Sequence, residues 1–190
     1  MSHRGRGWLL WAALWLAPDA GAHELEANRA TLVLRDGHHV QLSLYIDLGV
    51  ALARTLAPDQ PVSEFILAAT AMPPDAFAQL YQQGTARLQH GTVLMRADGE
   101  ALSLRHWQWP DADSVRQGLQ TLTMNALVAA DAHGHPPIRE VRAEANSTLA
   151  VDELILRLPP DLGEVIVVWY QPRQRQIDRG QDARLSFDAP

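Results

Sequence analysis

Large apolar residues at every second position, on both sides of a short turn, limit the fold of this chain more than any other feature. Alternation of this kind is typical of half-buried β-strands. Arg35-Asp36-Gly37 predicts a three-residue loop with Gly37 in the left-handed conformation, which places Leu32 opposite Val40. One face of the resulting β-hairpin then carries Leu32, Leu34, Val40, Leu42, Leu44 and Ile46. A hairpin with one apolar face requires a core packed against that face.

The spacing of apolar residues becomes helical between about residues 48 and 90. It predicts a short helix that ends before Pro58, a second helix that begins at Pro61 with Asp59 as its cap, and a third that opens at Pro73-Pro74-Asp75. Proline is tolerated in the first turn of a helix, where its missing N–H would have no partner. We therefore expect a helical insertion after the hairpin.

The second half of the chain is rich in strand patterns separated by turn residues. Residues 119–129 fit either a helix or a strand, and we predict a strand at 122–129 that pairs with residues 138–145. The remaining predicted strands are 93–95, 102–109, 154–158, 164–170 and 183–187. These patterns predict an α+β fold, mainly β, in which a β-sandwich-like body carries the helical insertion.

Residues 1–22 follow the three-part pattern of an export signal. Arg4 and Arg6 precede an apolar run from Gly7 to Ala17, and Ala20-Gly21-Ala22 supplies a small-x-small cleavage site. The run is too short to cross a bilayer, which takes ~20 residues, and no later stretch is longer. We expect cleavage after Ala22, a periplasmic or secreted location, a single exported domain over 23–190, and no transmembrane segment in the mature chain.

Composition and motifs exclude several classes of function. A net charge of −6 argues against a protein that coats nucleic acid. The absence of cysteine excludes a disulfide scaffold, a cysteine-ligated zinc site and a thiol nucleophile. No nucleophile elbow, phosphate-binding loop or dinucleotide fingerprint occurs in the sequence, so a binding protein is favoured over an enzyme.

Histidine is the residue type in this sequence that is best suited to bind a metal ion. Cleavage after Ala22 would make His23 the first residue, so that its amine and its imidazole could chelate one metal ion together. His133 and His135 add two imidazoles across the flexible Gly134. Three imidazoles and an amine suit tetragonal Cu(II). The alternative is that all three are incidental, His133 and His135 being solvated loop residues.

The combination of His23 with His133 and His135 resembles the histidine brace of exported copper proteins. That group includes lytic polysaccharide monooxygenases, periplasmic copper carriers and the soluble domain of the particulate methane monooxygenase B subunit. The resemblance implies that copper would be held by these three residues. The start His23-Glu24-Leu25 is also similar to the extracytoplasmic start of proteins related to the HupE/UreJ nickel-permease group and of other exported bacterial proteins. That similarity implies a metal-handling or membrane-partner setting.

Trp107 and Trp109 form a second candidate site. Simple alternation from Leu102 and Leu104 turns both indoles towards solvent, where they would suit a partner protein, a peptide or a sugar. A β-bulge near Arg105, or cover from the helical insertion, would instead return them to the core, and we favour the core.

Two main hypotheses follow. The first is a non-enzymatic periplasmic domain that binds copper through His23, His133 and His135, and an oxidase of the brace type is a less favoured variant of it. The second is an interaction module that docks on a membrane or envelope protein through Trp107 and Trp109 or through the helical insertion. The first requires the start of the first strand to lie next to the 129–138 connection.

Overall fold

A computed structural model describes residues 28–128 and 138–172. The predicted hairpin is present as β1 (Asn28–Arg35) and β2 (His39–Asp47). All the predicted apolar residues lie on its inner face, where Leu32, Val40, Leu42, Leu44 and Ile46 are buried and Leu34 is partly buried. The predicted register is wrong by two residues, because Leu32 lies opposite Leu42.

The position of the loop explains the register. The loop consists of Asp36, Gly37 and His38, one residue later than predicted, and Asp36 and Gly37 both have positive φ angles of 50° and 71°. A shift of two residues preserves the side on which each side chain lies. The apolar face was therefore predicted correctly although the loop was not.

Two sheets and four helices make up the described residues. After β2 come α1 (Leu48–Leu56), α2 (Val62–Thr70), α3 (Pro74–Gly91), β3 (Val93–Arg96), β4 (Ala101–Leu102), β5 (Arg105–Gln108) and α4 (Ala112–Val128). The described part then continues with β6 (Ile138–Asn146), β7 (Leu154–Arg157), a short 3-10 helix (Pro160–Leu162) and β8 (Val165–Tyr170). The large sheet has the order β5-β6-β2-β1-β8, and the small sheet has the order β4-β3-β7.

The helical insertion predicted at about 48–90 is confirmed by α1, α2 and α3. Asp59 does not cap α2: Pro61 occupies the cap position, with no side-chain hydrogen bond. The close approach of α1 and α3 depends on Gly84, because a Cβ at that position would collide with the Leu52 side chain.

The strand predicted at 122–129 is wrong, because residues up to Val128 continue α4. Val115 and Leu119, four residues apart, are buried in the core, and α4 packs against α2 and α3. This helical stripe outweighs the local strand pattern. The strand β6 pairs instead with β2 and β5.

One core cluster joins the inner face of the large sheet to the helices and the small sheet. Its largest fully buried side chains include Phe77, Leu42, Ile46, Leu52 and Leu94. The α+β class is confirmed; helix makes up 41% and strand 34% of the described residues, so "mainly β" is only approximate. Among the described helices, none combines the length and the apolarity needed to cross a membrane.

Candidate functional site

The predicted copper ligands His23, His133 and His135 lie outside the described residues. Within 28–128 and 138–172, no three histidine or acidic side chains are grouped closely enough to hold a metal ion. The structure does describe the two positions at which the ligand-bearing segments join the fold. These positions are Asn28, five residues after His23, and Ile138, three residues after His135.

Both positions lie at the same end of the large sheet. β1 and β6 flank β2 and both run antiparallel to it, so their first residues meet the last residues of β2. Arg29 lies opposite Tyr45, and Ile138 lies opposite Asp47. Adjacent strands are ~4.8 Å apart, so the starts of β1 and β6 are separated by about 10 Å. An extended chain covers ~3.4 Å per residue, so both segments are long enough to reach a common point beyond this end.

Asn28 fixes the first of these positions. Its amide nitrogen donates a hydrogen bond to the carbonyl oxygen of Leu162 at 2.7 Å, and its amide oxygen accepts from the backbone N–H of Asp47 at 3.0 Å. The side chain therefore ties the start of β1 to the end of β2 and to the segment before β8. The first described residue of the chain is therefore held on two sides.

Asp47 ends β2 and caps α1 at the same place. Its carboxylate accepts a hydrogen bond from the backbone N–H of Val50 at 3.1 Å. Burial raises the pKa of the Asp47 carboxyl, and the hydrogen bonds from the backbone N–H groups of Val50 and Gly49 oppose that shift. Because its carboxylate accepts these hydrogen bonds, Asp47 acts as a helix cap, and its role among the described residues is structural.

Polar side chains cover the outer face of the sheet at this end. Tyr45 donates to Glu140 at 2.9 Å, Arg142 donates to the same carboxylate at 2.7 Å, and the Arg29 guanidinium lies 4.6 Å from the Tyr45 ring centre. The hydrogen bond from Arg142 lowers the pKa of Glu140, and the hydrogen bond to Glu140 raises the pKa of Tyr45. The Glu140 carboxylate thus has two donors, Tyr45 and Arg142, close to the start of β6.

Trp107 and Trp109 are partly buried and pack against the core. Their rings are stacked, with centroids 5.8 Å apart and planes inclined at 17°. The pairing of β5 with β6 is interrupted between Arg105 and Gln108, and His106 adopts a φ of 53°. This irregularity begins at Arg105, where the sequence allows a β-bulge, and both indoles pack against the core.

The other histidines of the described residues have ordinary surroundings. His39 forms a hydrogen bond with Asn146 at 2.8 Å, and His38 and His90 are exposed. His106 lies 3.6 Å from Glu144 beside a small cleft; the His106 side chain is exposed and that of Glu144 is partly exposed. None of these imidazoles faces a second histidine or an acidic pair that could complete a metal site.

Among the described residues, β8 carries the longest consecutive run of exposed large apolar side chains, and this exposure was missed in the sequence. The strand Val165–Tyr170 reads Val-Ile-Val-Val-Trp-Tyr, and its last four residues are exposed, Trp169 by 76%. An uninterrupted apolar run is typical of a strand buried on both faces, so the pattern indicated core. The later strand predicted at 183–187 lies outside the described residues. No protein-family model, curated protein or solved structure matches this chain.

Proposed function

We propose that the mature protein is an exported domain that binds copper through His23, His133 and His135. The observation that supports this is the common position of the β1 and β6 starts at one end of the sheet. Without it, a His-x-His pair and an N-terminal histidine would be unrelated features of the sequence. With it, both segments begin within about 10 Å of each other and are long enough to meet.

The chemistry of the donors supports copper over other metals. An N-terminal amine has a pKa of ~7.7–8.0, low enough for a strongly bound Cu(II) ion to displace its proton. Imidazole nitrogens suit copper, and nitrogen donors in a plane suit the tetragonal geometry of Cu(II). The absence of cysteine from the chain leaves histidine as its best soft or borderline ligand.

The proposed role is binding, as a carrier or sensor in the periplasm, and not catalysis. Near the starts of β1 and β6, the described polar side chains already have partners. Asp47 caps α1, and Tyr45 and Arg142 both donate hydrogen bonds to Glu140. These groups offer neither a free general base nor a nucleophile next to the proposed site.

Titration of the mature protein with Cu(II) tests this proposal. A chain that begins at His23 is expected to bind one Cu(II) with submicromolar affinity. Addition of one residue before His23 should weaken binding by at least about 100-fold, because the amine is then removed from the chelate. His133→Ala and His135→Ala should each weaken binding, while His90→Ala on the exposed end of α3 serves as the matched control.

Electron paramagnetic resonance of the same samples identifies the ligands. The mature chain should give nitrogen hyperfine couplings that change on extension and on His133→Ala. Equal, weak binding by all variants, including the extended chain, would contradict the proposal.

A further inference from the structure

The strand β8 lacks the features that protect the edge of a sheet. Within the described residues it pairs with β1 on one side only, and none of its six residues is charged or a proline. Edge strands usually carry charges, prolines or bulges that prevent pairing with a further strand. The composition of β8 is therefore that of a strand with a neighbour on both sides.

An apolar groove runs beside this edge, on the inner face of the large sheet. It has a volume of about 500 Å³ and is lined mainly by Leu32, Leu34, Leu154, Leu156, Val167 and Trp169. The side chains of Val167 and Trp169 are exposed beside it. An exposed apolar surface of this kind favours an occupant that brings large apolar side chains.

The sequence supplies such an occupant shortly after β8. Residues 173–190 lie outside the described residues, and the pattern Ala-Arg-Leu-Ser-Phe at 183–187 predicts a strand among them. Its alternation places Leu185 and Phe187 on one face and the two polar residues on the other. A strand with one apolar and one polar face can cover a groove on one side and border solvent on the other.

We propose that residues 183–187 pair antiparallel with the side of β8 that faces away from β1, and that their apolar face covers the groove. The chain has to return across only one strand spacing, ~4.8 Å, and residues 171–182 are available as the connection. Pro172 follows β8 directly after Gln171, and Arg179-Gly180 is typical of a turn. The length and composition of the connection therefore suit a return to β8.

The groove determines the preferred register. When Leu185 lies beside Trp169, Phe187 lies beside Val167, so both large side chains point towards the groove. Cross-strand pairs of an aromatic with an aliphatic residue are favourable. A shift of two residues would instead place Phe187 beside Val165, which does not line the groove.

The proposed strand also carries the protection that β8 lacks. Arg184 belongs to it and Asp188 follows it directly. Charged residues at these positions discourage the addition of a further strand. With residues 183–187 in place, the apolar strand β8 lies inside the sheet and a charged strand lies at its edge.

Cysteine crosslinking tests this arrangement directly, because the natural chain contains no cysteine. In the proposed register Val168 and Ser186 lie side by side on the outer face, at ~4.5–5.5 Å between Cα atoms, within the range that a disulfide spans. The double variant Val168→Cys, Ser186→Cys should therefore form a disulfide within one chain in oxidised glutathione. The control pairs Ser186→Cys with Leu67→Cys, at an exposed apolar position on α2, and should keep both thiols.

A non-reducing gel and a thiol assay distinguish the outcomes. Loss of both thiols in a chain of monomer size supports the proposal. A disulfide between two chains would identify a second copy as the occupant and overturn it. Equal oxidation of the two pairs, or no disulfide in either, would overturn it as well.

A single substitution provides the second measurement. Phe187→Asp should release the segment from the groove, because a carboxylate is costly to place among apolar side chains. The fluorescence of a dye that binds exposed apolar surface should then increase several-fold. Ser186→Asp, on the opposite face of the same strand, is the matched control and should change the signal little, and circular dichroism should show that both variants are folded. An equal response of the two variants would contradict the proposed cover. Neither measurement involves copper, so the proposal stands or fails separately from the metal site.

Discussion

The two edges of the large sheet are built in opposite ways. β5 is four residues long, begins with Arg105, contains the positive φ of His106 and pairs irregularly with β6. β8 is six residues long, entirely apolar and in regular register with β1 over all of them. β5 is short, charged and irregular, which discourages a further strand, whereas β8 has none of these features.

The comparison teaches that exposure alone does not identify a docking surface. β5 is also largely exposed, yet its Arg105 faces solvent and its Trp107 packs against the core. At β8 the apolar residues themselves are exposed.

The largest expected effect is a difference in stability between a substitution at the centre of the sheet and the same substitution in β8. Val40→Ala on β2, where the side chain is fully buried, should lower the free energy of unfolding by about 2–3 kcal/mol. The same change at Val168, which is 41% exposed, should cost less than about 1 kcal/mol. Urea denaturation of both variants, at a concentration too low for association, measures the two values. Equal losses would mean that β8 is buried within the monomer and would remove the contrast between the edges.

A smaller loss of stability is expected from a substitution that weakens the hydrogen bonds at the β8 side of the sheet and not those at the β5 side. Asn28→Ala removes the hydrogen bonds to Leu162 and from Asp47, so it should cost about 1–2 kcal/mol. Because these bonds hold the start of β1 beside β8, hydrogen exchange should accelerate in β8 more than in β5. Arg35→Ala, at the exposed far end of the same strand, is the control. Equal acceleration at both edges would show that Asn28 stabilises the sheet as a whole.

Much of this fold follows from local patterns in the sequence. The alternation in β1 and β2 predicted which side chains share the inner face, because a period of two has only two possible faces; Val33, on the other face, is buried as well. It could not predict the register, since a loop at 35–37 and a loop at 36–38 leave the same side chains on the same face. Residues 122–128 were mistaken for a strand because the short pattern omits Val115 and Leu119, whose burial against the other helices determines the helix.

The candidate sites were predictable only in part. The positions of Trp107 and Trp109 depend on a bulge, which the sequence allows but does not require. The exposure of β8 depends on the order of strands in the sheet, and strand order arises from contacts between distant residues such as Asn28 and Val165. The copper ligands were predicted from chemistry alone, and the topology adds only that their segments start at the same end.

The smallest expected effect concerns the irregular edge. At most positions in a strand, alanine is more stabilising than glycine by about 0.5–1 kcal/mol. The order should reverse at residue 106, because its φ of 53° is costly for any side chain but not for glycine. His106→Gly should therefore be more stable than His106→Ala by up to about 1 kcal/mol. Both changes remove the contact with Glu144, so that contact cancels in the comparison.

Gln108, at the other end of the same strand, provides the matched control, because it is exposed and its φ is not positive. There the alanine variant should be the more stable of the two. Thermal denaturation of the four variants gives both differences in one experiment. If alanine is the more stable substitution at both 106 and 108, then residue 106 does not keep its positive φ in solution. β5 would then be a regular strand, and the contrast with β8 would rest on charge and length alone.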